Sequence, residues 1–455
     1  MIPIIEKAKN FVGKKLDSQS KQLFKNSSWV LIANAFGFVN AFILSIVLAR
    51  KLGVEVFGAY TLVINFVSAT LEIFNLNVGT AIIKFGAAYK SENRIDKLVA
   101  LVKGCAWASF VAFGLAIVVM VILLNFFYAS FFSKPGMEFY SYMYAAALAI
   151  FLFAGTLSNS LLRLFFKFKI NSIVNMVMDG VELVLVITAL YMFPDNFKIF
   201  FLAVIITKLL NGVIWLIAAL WEIKGDVKDH VGASSKLLFE QRNEIRGFVF
   251  LNSLSGTLKT FINRGDILLL GAIGNNAMVA YYSIAKKLAY SILAVTDPLA
   301  NAIFPQLSKL IADKNHSETL KMLRTTTKLF LIPSVIALAI IFVLKKWMIK
   351  LLFGAEYLPA ASPFFFLMMA ALMSSVFFWG LSMIQSLGMI KLRFVAYIIA
   401  ILTGGTAAYF LIPVYGATGA ALGALIANIV INGSFVFMSY KKLAHLKVLE
   451  NDAVS

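Results

Sequence analysis

Twelve long apolar segments follow one another along the chain, separated by short polar or basic stretches. A helix that crosses a bilayer needs about 20 mostly apolar residues, and each segment is long enough. The predicted spans are Trp29–Ala49, Phe57–Ile83, Leu98–Tyr128, Phe139–Phe165, Ile173–Phe193, Phe197–Trp221, Phe248–Ile273, Ala277–Leu310, Leu329–Leu351, Pro359–Leu387, Leu392–Ile412 and Thr418–Tyr440. The sequence therefore predicts an all-α polytopic membrane protein.

The composition excludes a soluble alternative. Residues of the set AVILMFWYC make up 61% of the chain and charged residues only 14%, whereas about a quarter of a soluble domain is charged. So few charges cannot cover a surface exposed to water. The single cysteine, Cys105, and the widely separated histidines offer neither a disulfide nor a metal cluster. These counts exclude a soluble enzyme and predict that the protein holds no metal or cofactor. We expect that it is not an enzyme, with a membrane enzyme as a low-ranked alternative.

The lysines and arginines are distributed unequally between alternate loops. If the N-terminus is cytoplasmic, most of them lie on the cytoplasmic side. The outer side then receives only Arg50, Lys51, Lys134, Lys198, Lys345, Lys346 and Lys350. Such a bias is typical of inner-membrane proteins and predicts that both termini are cytoplasmic. Topology thus explains the net charge of +19, and nucleic acid is not an expected partner.

Six spans, a polar linker and six further spans predict a duplicated architecture, with two six-helix lobes around a central cavity. Residues Leu52–Tyr60 and Ile273–Tyr281 echo each other at a constant offset, although chance could also give this likeness. The basic N-terminal segment lacks the pattern of a cleavable signal and is either an interfacial amphipathic helix or a disordered tail. The predicted boundaries are 1–26 for this cytoplasmic segment, 27–222 for the N-terminal lobe, 223–246 for a cytoplasmic linker, 247–443 for the C-terminal lobe and 444–455 for a cytoplasmic tail.

Polar and charged residues inside several spans recur at helical spacing and therefore share one face of each helix. Charges at membrane depth are costly and usually face a cavity or a partner, so aligned stripes favour a water-filled cavity. Cations in a cavity suit a phosphate or an acidic sugar. The residues predicted to bind such a substrate are Lys259, Arg264, Lys286, Lys287, Lys208, Asn263, Tyr282 and Tyr290.

Carboxylates inside the spans are the candidates for coupling transport to a proton or a sodium ion. Asp179 and Glu182 lie one turn apart, and two carboxylates that close cannot easily both stay ionised in a low-dielectric site. The full set of acids is Glu72, Asp179, Glu182, Asp266 and Asp297. The alternative is that these acids pair with cations inside a packed bundle, between the halves or within one helix, as Lys259 could pair with Asp266. Because no G-x-x-x-x-G-K-[ST] motif occurs, ATP hydrolysis is not expected.

Two further patterns concern helix geometry. Pro298 and Pro305 each remove a backbone hydrogen bond in span eight, which predicts a kink beside charged groups. The small residues of span twelve predict close packing between helices, without chemistry of their own. They are Gly416, Gly419, Gly423 and Ala427.

Several runs of residues carry a resemblance to a known family. They are Leu48–Gly53, Phe57–Tyr60, Asn77–Ala81, Arg264–Gly271 and Tyr281–Leu288. From about Ser28 to Lys442 the chain resembles bacterial polysaccharide flippases of the O-antigen type, whose superfamily also contains multidrug extruders and the lipid II flippase. The lipid II branch usually has two extra helices and early arginines, which this chain lacks.

The resemblance implies a flippase of the bacterial inner membrane that serves surface polysaccharide biosynthesis. By alternating access it would move a lipid-linked oligosaccharide, a repeat unit on polyprenyl pyrophosphate, to the outer leaflet. Its expected partners are this glycan, membrane lipids and other polysaccharide assembly proteins. A cation-coupled multidrug exporter of the same fold is the alternative, but its site would more naturally be acidic or apolar. A membrane polysaccharide polymerase or ligase ranks third because the predicted outer loops are short, and a structural role in the envelope stays open.

Overall fold

The computed structural model describes residues 18–131, 138–194, 196–227, 232 and 241–452, and these residues are helical almost throughout, without a strand. Residues 1–17, most of the predicted linker and residues 453–455 lie outside the described part of the chain. The helices are α1 Ser18–Ile73, α2 Val78–Ser91, α3 Ile95–Phe131, α4 Glu138–Leu164, α5 Phe168–Met192, α6 Phe197–Val227, α7 Arg242–Ile273, α8 Asn276–Tyr290, α9 Leu293–Ala312, α10 His316–Phe353, a 3-10 helix Ala355–Ala360, α11 Ala361–Val376, α12 Trp379–Ser386, α13 Ile390–Tyr415 and α14 Ala417–Asp452.

All twelve predicted spans are helical where the structure describes them. Nine helical segments within the described ranges are long and apolar enough to cross a membrane. The first of them, within α1, contains span one and most of span two, joined at Gly53, whose backbone leaves the helix with φ 70° and ψ 171°. A residue without a Cβ adopts this conformation at little cost. The other two spans are α7, which carries three charges in its middle, and span eight, which is divided between α8 and α9.

Two spans that the sequence presents as continuous are interrupted. Span two is broken between Ile73 and Val78, where Asn77 has φ 45°, a left-handed conformation that Asn tolerates better than most residues. Span eight is broken between Tyr290 and Leu293. The predicted kink at Pro298 is thus displaced by one to two turns, and Pro298 lies inside α9. The bond that a proline removes is to the carbonyl four residues earlier, close to the start of the new helix.

The described helices form two compact units, and the predicted lobe boundaries stay predictions. The first unit comprises Met1–Leu44, Asn75–Leu115 and Ala146–Asn252. In it α5 packs against α6, and an apolar cluster joins α2, α3, α4, α6 and the first turn of α7. The buried members of this cluster are Val78, Ala81, Ile82, Phe85, Tyr89, Leu98, Leu101, Cys105, Leu157, Leu161, Leu164, Phe165, Ile223 and Ile245.

The second unit comprises Ser45–Phe74, Ala116–Ala145 and Ser253–Ser455. In it α11 packs against α8, α10 and α14, and α13 packs against α14. Arg50 ties the second unit's part of α1 to α10, because its guanidinium donates to the Leu351 carbonyl and, at 2.7 Å, to the Leu352 carbonyl. Cations are favoured at such a helix C-terminus. The buried hydroxyl of Tyr357 donates to the Ala49 carbonyl at 2.8 Å.

Small residues bring α13 and α14 into close contact, as the glycine series predicts. A Cβ on Gly404 would lie 2.6 Å from the Ala427 Cβ and 2.7 Å from the Gly423 carbonyl oxygen. A Cβ on the next residue, Gly405, would meet nothing within 4 Å. Gly404 therefore sets how closely the two helices approach, whereas Gly405 does not.

This contact predicts different effects for two neighbouring substitutions. Gly404→Leu should destabilise the protein by about 1–3 kcal/mol, because overpacking forces the helices apart. Gly405→Leu, with the same change in helix propensity, should leave the midpoint of thermal unfolding in detergent nearly unchanged. Equal midpoints for the two variants would contradict the observed packing.

Candidate functional site

Arg264 in α7 forms a two-pronged ion pair with Glu72 near the end of α1. Its Nη2 lies 2.7 Å from Oε1 of Glu72 and its Nε lies 3.1 Å from Oε2, while Nη1 donates to Oδ1 of Asn65 at 2.9 Å. This geometry matches the fork of a guanidinium to the two oxygens of a carboxylate. The pair joins residues 192 positions apart, one from each half of the sequence.

The neighbouring residues of α7 contact the same part of α1. Thr257, Thr260 and Arg264 recur at helical spacing and share one face. The hydroxyl of Thr257 donates to the Ile73 carbonyl at 3.3 Å, and that of Thr260 donates to Oε2 of Glu72 at 3.3 Å. Glu72 therefore accepts hydrogen bonds from two side chains of α7.

Asp266, two residues after Arg264, faces a different helix. Both of its carboxylate oxygens lie near Nζ of Lys286 in α8, at 2.6 and 2.8 Å. The fully buried Tyr282 donates its hydroxyl to the same carboxylate, and the backbone N–H of Ile267 donates to it at 2.7 Å. Lys286 also donates to the Asn263 carbonyl at 2.7 Å. The Asp266 carboxylate thus accepts hydrogen bonds from Lys286, Tyr282 and the Ile267 backbone.

A polar chain continues from Lys286 through the second unit. The ammonium of Lys286 lies 5.7 Å from the ring centre of Tyr282 and 5.8 Å from that of Tyr290. The Tyr290 hydroxyl accepts from the amide of Asn428 at 3.3 Å, and Asn428 accepts from the Ser374 hydroxyl at 3.0 Å. The cation thus rests on aromatic faces that are themselves positioned by amide and hydroxyl groups.

The other predicted site residues of the second unit are arranged more openly. Lys287 donates to the Ser45 hydroxyl at 2.5 Å. Lys259 and Asp297 are exposed and within electrostatic reach of each other, without a salt bridge between them. The alternative pairing of Lys259 with Asp266 does not occur. Seven residues of helix separate their backbones by about 10 Å, and Asp266 is already held by Lys286.

A third ion pair between predicted site residues lies in the first unit. Nζ of Lys208 in α6 lies 2.9 and 2.8 Å from the two carboxylate oxygens of Glu182 in α5. Asp179, one turn earlier on α5, is partly buried and interacts electrostatically with both. Among the described residues Asp179 forms no salt bridge. Of the two predicted coupling acids in span five, Asp179 is thus the one that no cation holds directly.

Gly37 of α1 lies directly against Asp179 of α5. A Cβ on Gly37 would lie only 2.7 Å from Oδ2 of Asp179, so glycine is what lets the carboxylate lie against α1. Asn40, one turn after Gly37, and Asn211, one turn after Lys208, are buried. The Asn40 amide nitrogen and the Asn211 amide oxygen lack a hydrogen-bond partner within the described residues.

The structure brings together most of the predicted site residues but mainly as pairs. Arg264, Lys286 and Lys208 are each matched by an acid, as the pairing alternative proposed. The partners Asn65, Thr260 and Asn428 were not singled out as binding groups from the sequence. Asn65 precedes Glu72 by seven residues and Thr260 precedes Arg264 by four, so each shares a helix face with a predicted site residue and helical phase could have identified both.

The three pairs differ in how far solvent can reach them. The side chains of Arg264 and Glu72 are 28% and 32% exposed, whereas those of Lys286 and Asp266 are 17% and 12% exposed. Lys208 and Glu182 lie between these values. Of the three pairs, Arg264 with Glu72 is therefore the most accessible, and Lys286 with Asp266 is the most enclosed.

This helical architecture is similar to that of several solved membrane-protein structures. The chain aligns over 93% of its length with 90% of the lipid II flippase MurJ in an inward closed conformation, at 18% identity and a TM-score of 0.66. An inward-facing multidrug resistance MATE family transporter of the MOP superfamily aligns at 14% identity and a TM-score of 0.65, covering 90% of this chain and 95% of that one. A variant of the Vibrio cholerae MATE transporter VcmN gives 14% identity and a TM-score of 0.61, with 94% and 98% covered.

The sequence itself identifies the family. Residues 47–362 match the family model described as "Polysaccharide biosynthesis protein", which is more than two thirds of the chain. The chain therefore belongs to this polysaccharide biosynthesis family, as the resemblance implies. A comparison with curated proteins finds no match.

The enclosed pair Lys286–Asp266 predicts a strong dependence of stability on both partners. Lys286→Met should lower the free energy of unfolding by about 3–5 kcal/mol, because it leaves the Asp266 charge enclosed without a cation to balance it. The double variant Lys286→Met with Asp266→Asn should recover part of this loss. Thermal unfolding of the purified protein measures both effects.

The exposed pair of Lys84 with Glu244, at 3.8 Å, supplies the control. Lys84→Met should change the unfolding midpoint little, since ion pairs at exposed sites contribute about 0–1 kcal/mol. If the double variant Lys286→Met with Asp266→Asn is as unstable as Lys286→Met alone, the ion pair is not what stabilises α7 against α8.

Proposed function

We propose that this protein is a flippase for a lipid-linked oligosaccharide, a repeat unit carried on polyprenyl pyrophosphate. It moves this substrate from the cytoplasmic to the outer leaflet for the biosynthesis of a surface polysaccharide such as O-antigen. Membership of the polysaccharide biosynthesis family supports this proposal. The observation that carries it is Arg264, whose side chain lies within a predicted membrane span and is still 28% exposed, because planar bidentate donors recognise phosphate well.

The charge pattern favours an anionic substrate over the alternative of a cationic drug. A cationic drug needs an acid that is free to receive it, and three of the five acids inside the spans, Glu72, Asp266 and Glu182, are each held by a cation. Of the other two, Asp297 lies within electrostatic reach of Lys259, and Asp179 is the proposed coupling group. Lys259, in contrast, is a cation in an exposed position of α7. The likeness to multidrug transporters at 14% identity concerns the fold alone.

The proposed setting is the cytoplasmic membrane of a bacterium, with both termini in the cytoplasm. The distribution of lysine and arginine between alternate loops supports this orientation. Transport proceeds by alternating access, in which Arg264 and Lys259 become reachable first from one side and then from the other. The protein catalyses no covalent reaction, and other polysaccharide assembly proteins are its proposed partners in the membrane.

The proposed source of energy is an ion gradient, with Asp179 as the coupling group. Support comes from its position beside Glu182 and Lys208 without a salt bridge of its own within the described residues. The buried amide oxygen of Asn211, one turn from Lys208, is of the ligand type that hard cations such as sodium take. A proton or a sodium ion would neutralise Asp179 in one of the two access states.

The substrate proposal predicts that cations of α7 are needed for transport. Arg264→Gln should lower the rate of flipping of a fluorescent lipid-linked oligosaccharide in proteoliposomes by at least tenfold, since a lost charge-assisted contact is worth about 1.5–3 kcal/mol. Lys259→Gln should lower it as well. Lys309→Gln, an exposed cation near the end of α9, should retain the wild-type rate. Wild-type flipping by both α7 variants would contradict the assignment.

The coupling proposal predicts that the same assay responds to an imposed gradient. The wild-type rate should rise with a pH gradient or a sodium gradient, and Asp179→Asn should abolish this response because the amide cannot take up a proton or offer a charge. Removing the gradient with an ionophore is the control. Rates indifferent to both gradients, and to Asp179→Asn, would leave Asp179 with a structural role only.

A further inference from the structure

The fork of Arg264 is already occupied by a carboxylate. Two of its nitrogens hold the two oxygens of Glu72 and a third holds Asn65. A phosphate that binds the same edge of the guanidinium must first displace Glu72. A carboxylate carries one negative charge, whereas the pyrophosphate of the cargo carries one on each of its two phosphorus atoms, so the pyrophosphate is able to compete for the guanidinium.

We propose that Glu72 is a resident counter-anion of the substrate site, which the pyrophosphate of the cargo displaces from Arg264 and which later displaces the cargo in turn. This inference rests on the proposed function and adds a mechanism of selection and release. A ligand opens the site only if it presents at least two anionic oxygens to the guanidinium. Neutral sugars and cationic compounds cannot take Arg264 from Glu72.

The surroundings of the pair are suited to such an exchange. Glu72 and Arg264 are about one third exposed, more than either of the other two ion pairs. After displacement Glu72 can keep its hydrogen bond from Thr260, so its carboxylate retains one partner. Glu72 also lies one residue before the end of α1 at Ile73, where the chain leaves the helix, so a change in its partner acts on a helix terminus.

The exchange has a measurable signature in binding and in turnover. Glu72 competes with the ligand for Arg264. The apparent affinity for the ligand is therefore the intrinsic affinity multiplied by the fraction of molecules in which Arg264 is open. Glu72→Gln removes the negative charge with little change in shape and should bind polyprenyl pyrophosphate about tenfold more tightly. The same variant should flip substrate more slowly at saturation, because release is no longer assisted. KM and the maximal rate should therefore both fall.

The experiment measures binding of polyprenyl pyrophosphate, and separately of polyprenyl phosphate, to the purified full-length protein and its variants. Glu72→Asp, whose shorter side chain keeps the charge but reaches Arg264 less well, should give an intermediate affinity. Arg264→Gln should bind at least tenfold more weakly than the wild type. Glu244→Gln, in an exposed pair on another part of α7, is the matched control and should equal the wild type.

The outcomes separate the inference from the function on which it rests. Tighter binding by Glu72→Gln, with unchanged binding by Glu244→Gln, supports the exchange. Wild-type binding together with equal or weaker binding by both Glu72 variants, when these unfold at the wild-type temperature, would overturn the exchange and leave the substrate class intact. No binding of either lipid by the wild type and by Glu72→Gln would overturn the proposed function as well.

Discussion

Charges inside the membrane-spanning helices require partners, and this requirement determines how α7 is oriented. Arg264 and Asp266 are two residues apart, so their side chains leave the helix about 200° apart. One faces Glu72 of α1 and the other faces Lys286 of α8. A rotation of α7 would break both pairs at once and leave four charges in a medium of low dielectric constant. The two ion pairs thus fix the rotation of α7 about its own axis.

The same pairs explain how a site for an anion can exist without an exposed excess of charge. An unpaired arginine in a span would be costly in the absence of substrate. Glu72 stabilises Arg264, in the proposed mechanism until an anion arrives, while the enclosed pair of Lys286 with Asp266 keeps α7 in place. Structural pairing and substrate recognition are therefore compatible within one helix, provided that one pair is accessible and the other is enclosed.

The sequence predicts the spans and their polar faces well because both depend on local patterns. Apolar runs predict twelve spans, all of which are helical where the structure describes them, and helical phase places Asn65 and Glu72 of span two on one stripe. Local patterns do not predict which residues pair between helices. Spacing along one helix suggested Lys259 for Asp266, whereas the partner is Lys286, because the facing helix is determined by packing. The break after Ile73 carries neither Gly nor Pro and depends on the tolerance of Asn77 for a left-handed backbone.

The pairing of Arg264 with Glu72 is tested most directly by exchanging the two charges. Glu72→Arg and Arg264→Glu should each lower the temperature of unfolding, since each places two like charges together between α1 and α7. The double variant should recover most of that loss, because it restores an ion pair in the same place. A double variant no more stable than the weaker single variant, or single variants as stable as the wild type, would contradict the central role of this pair.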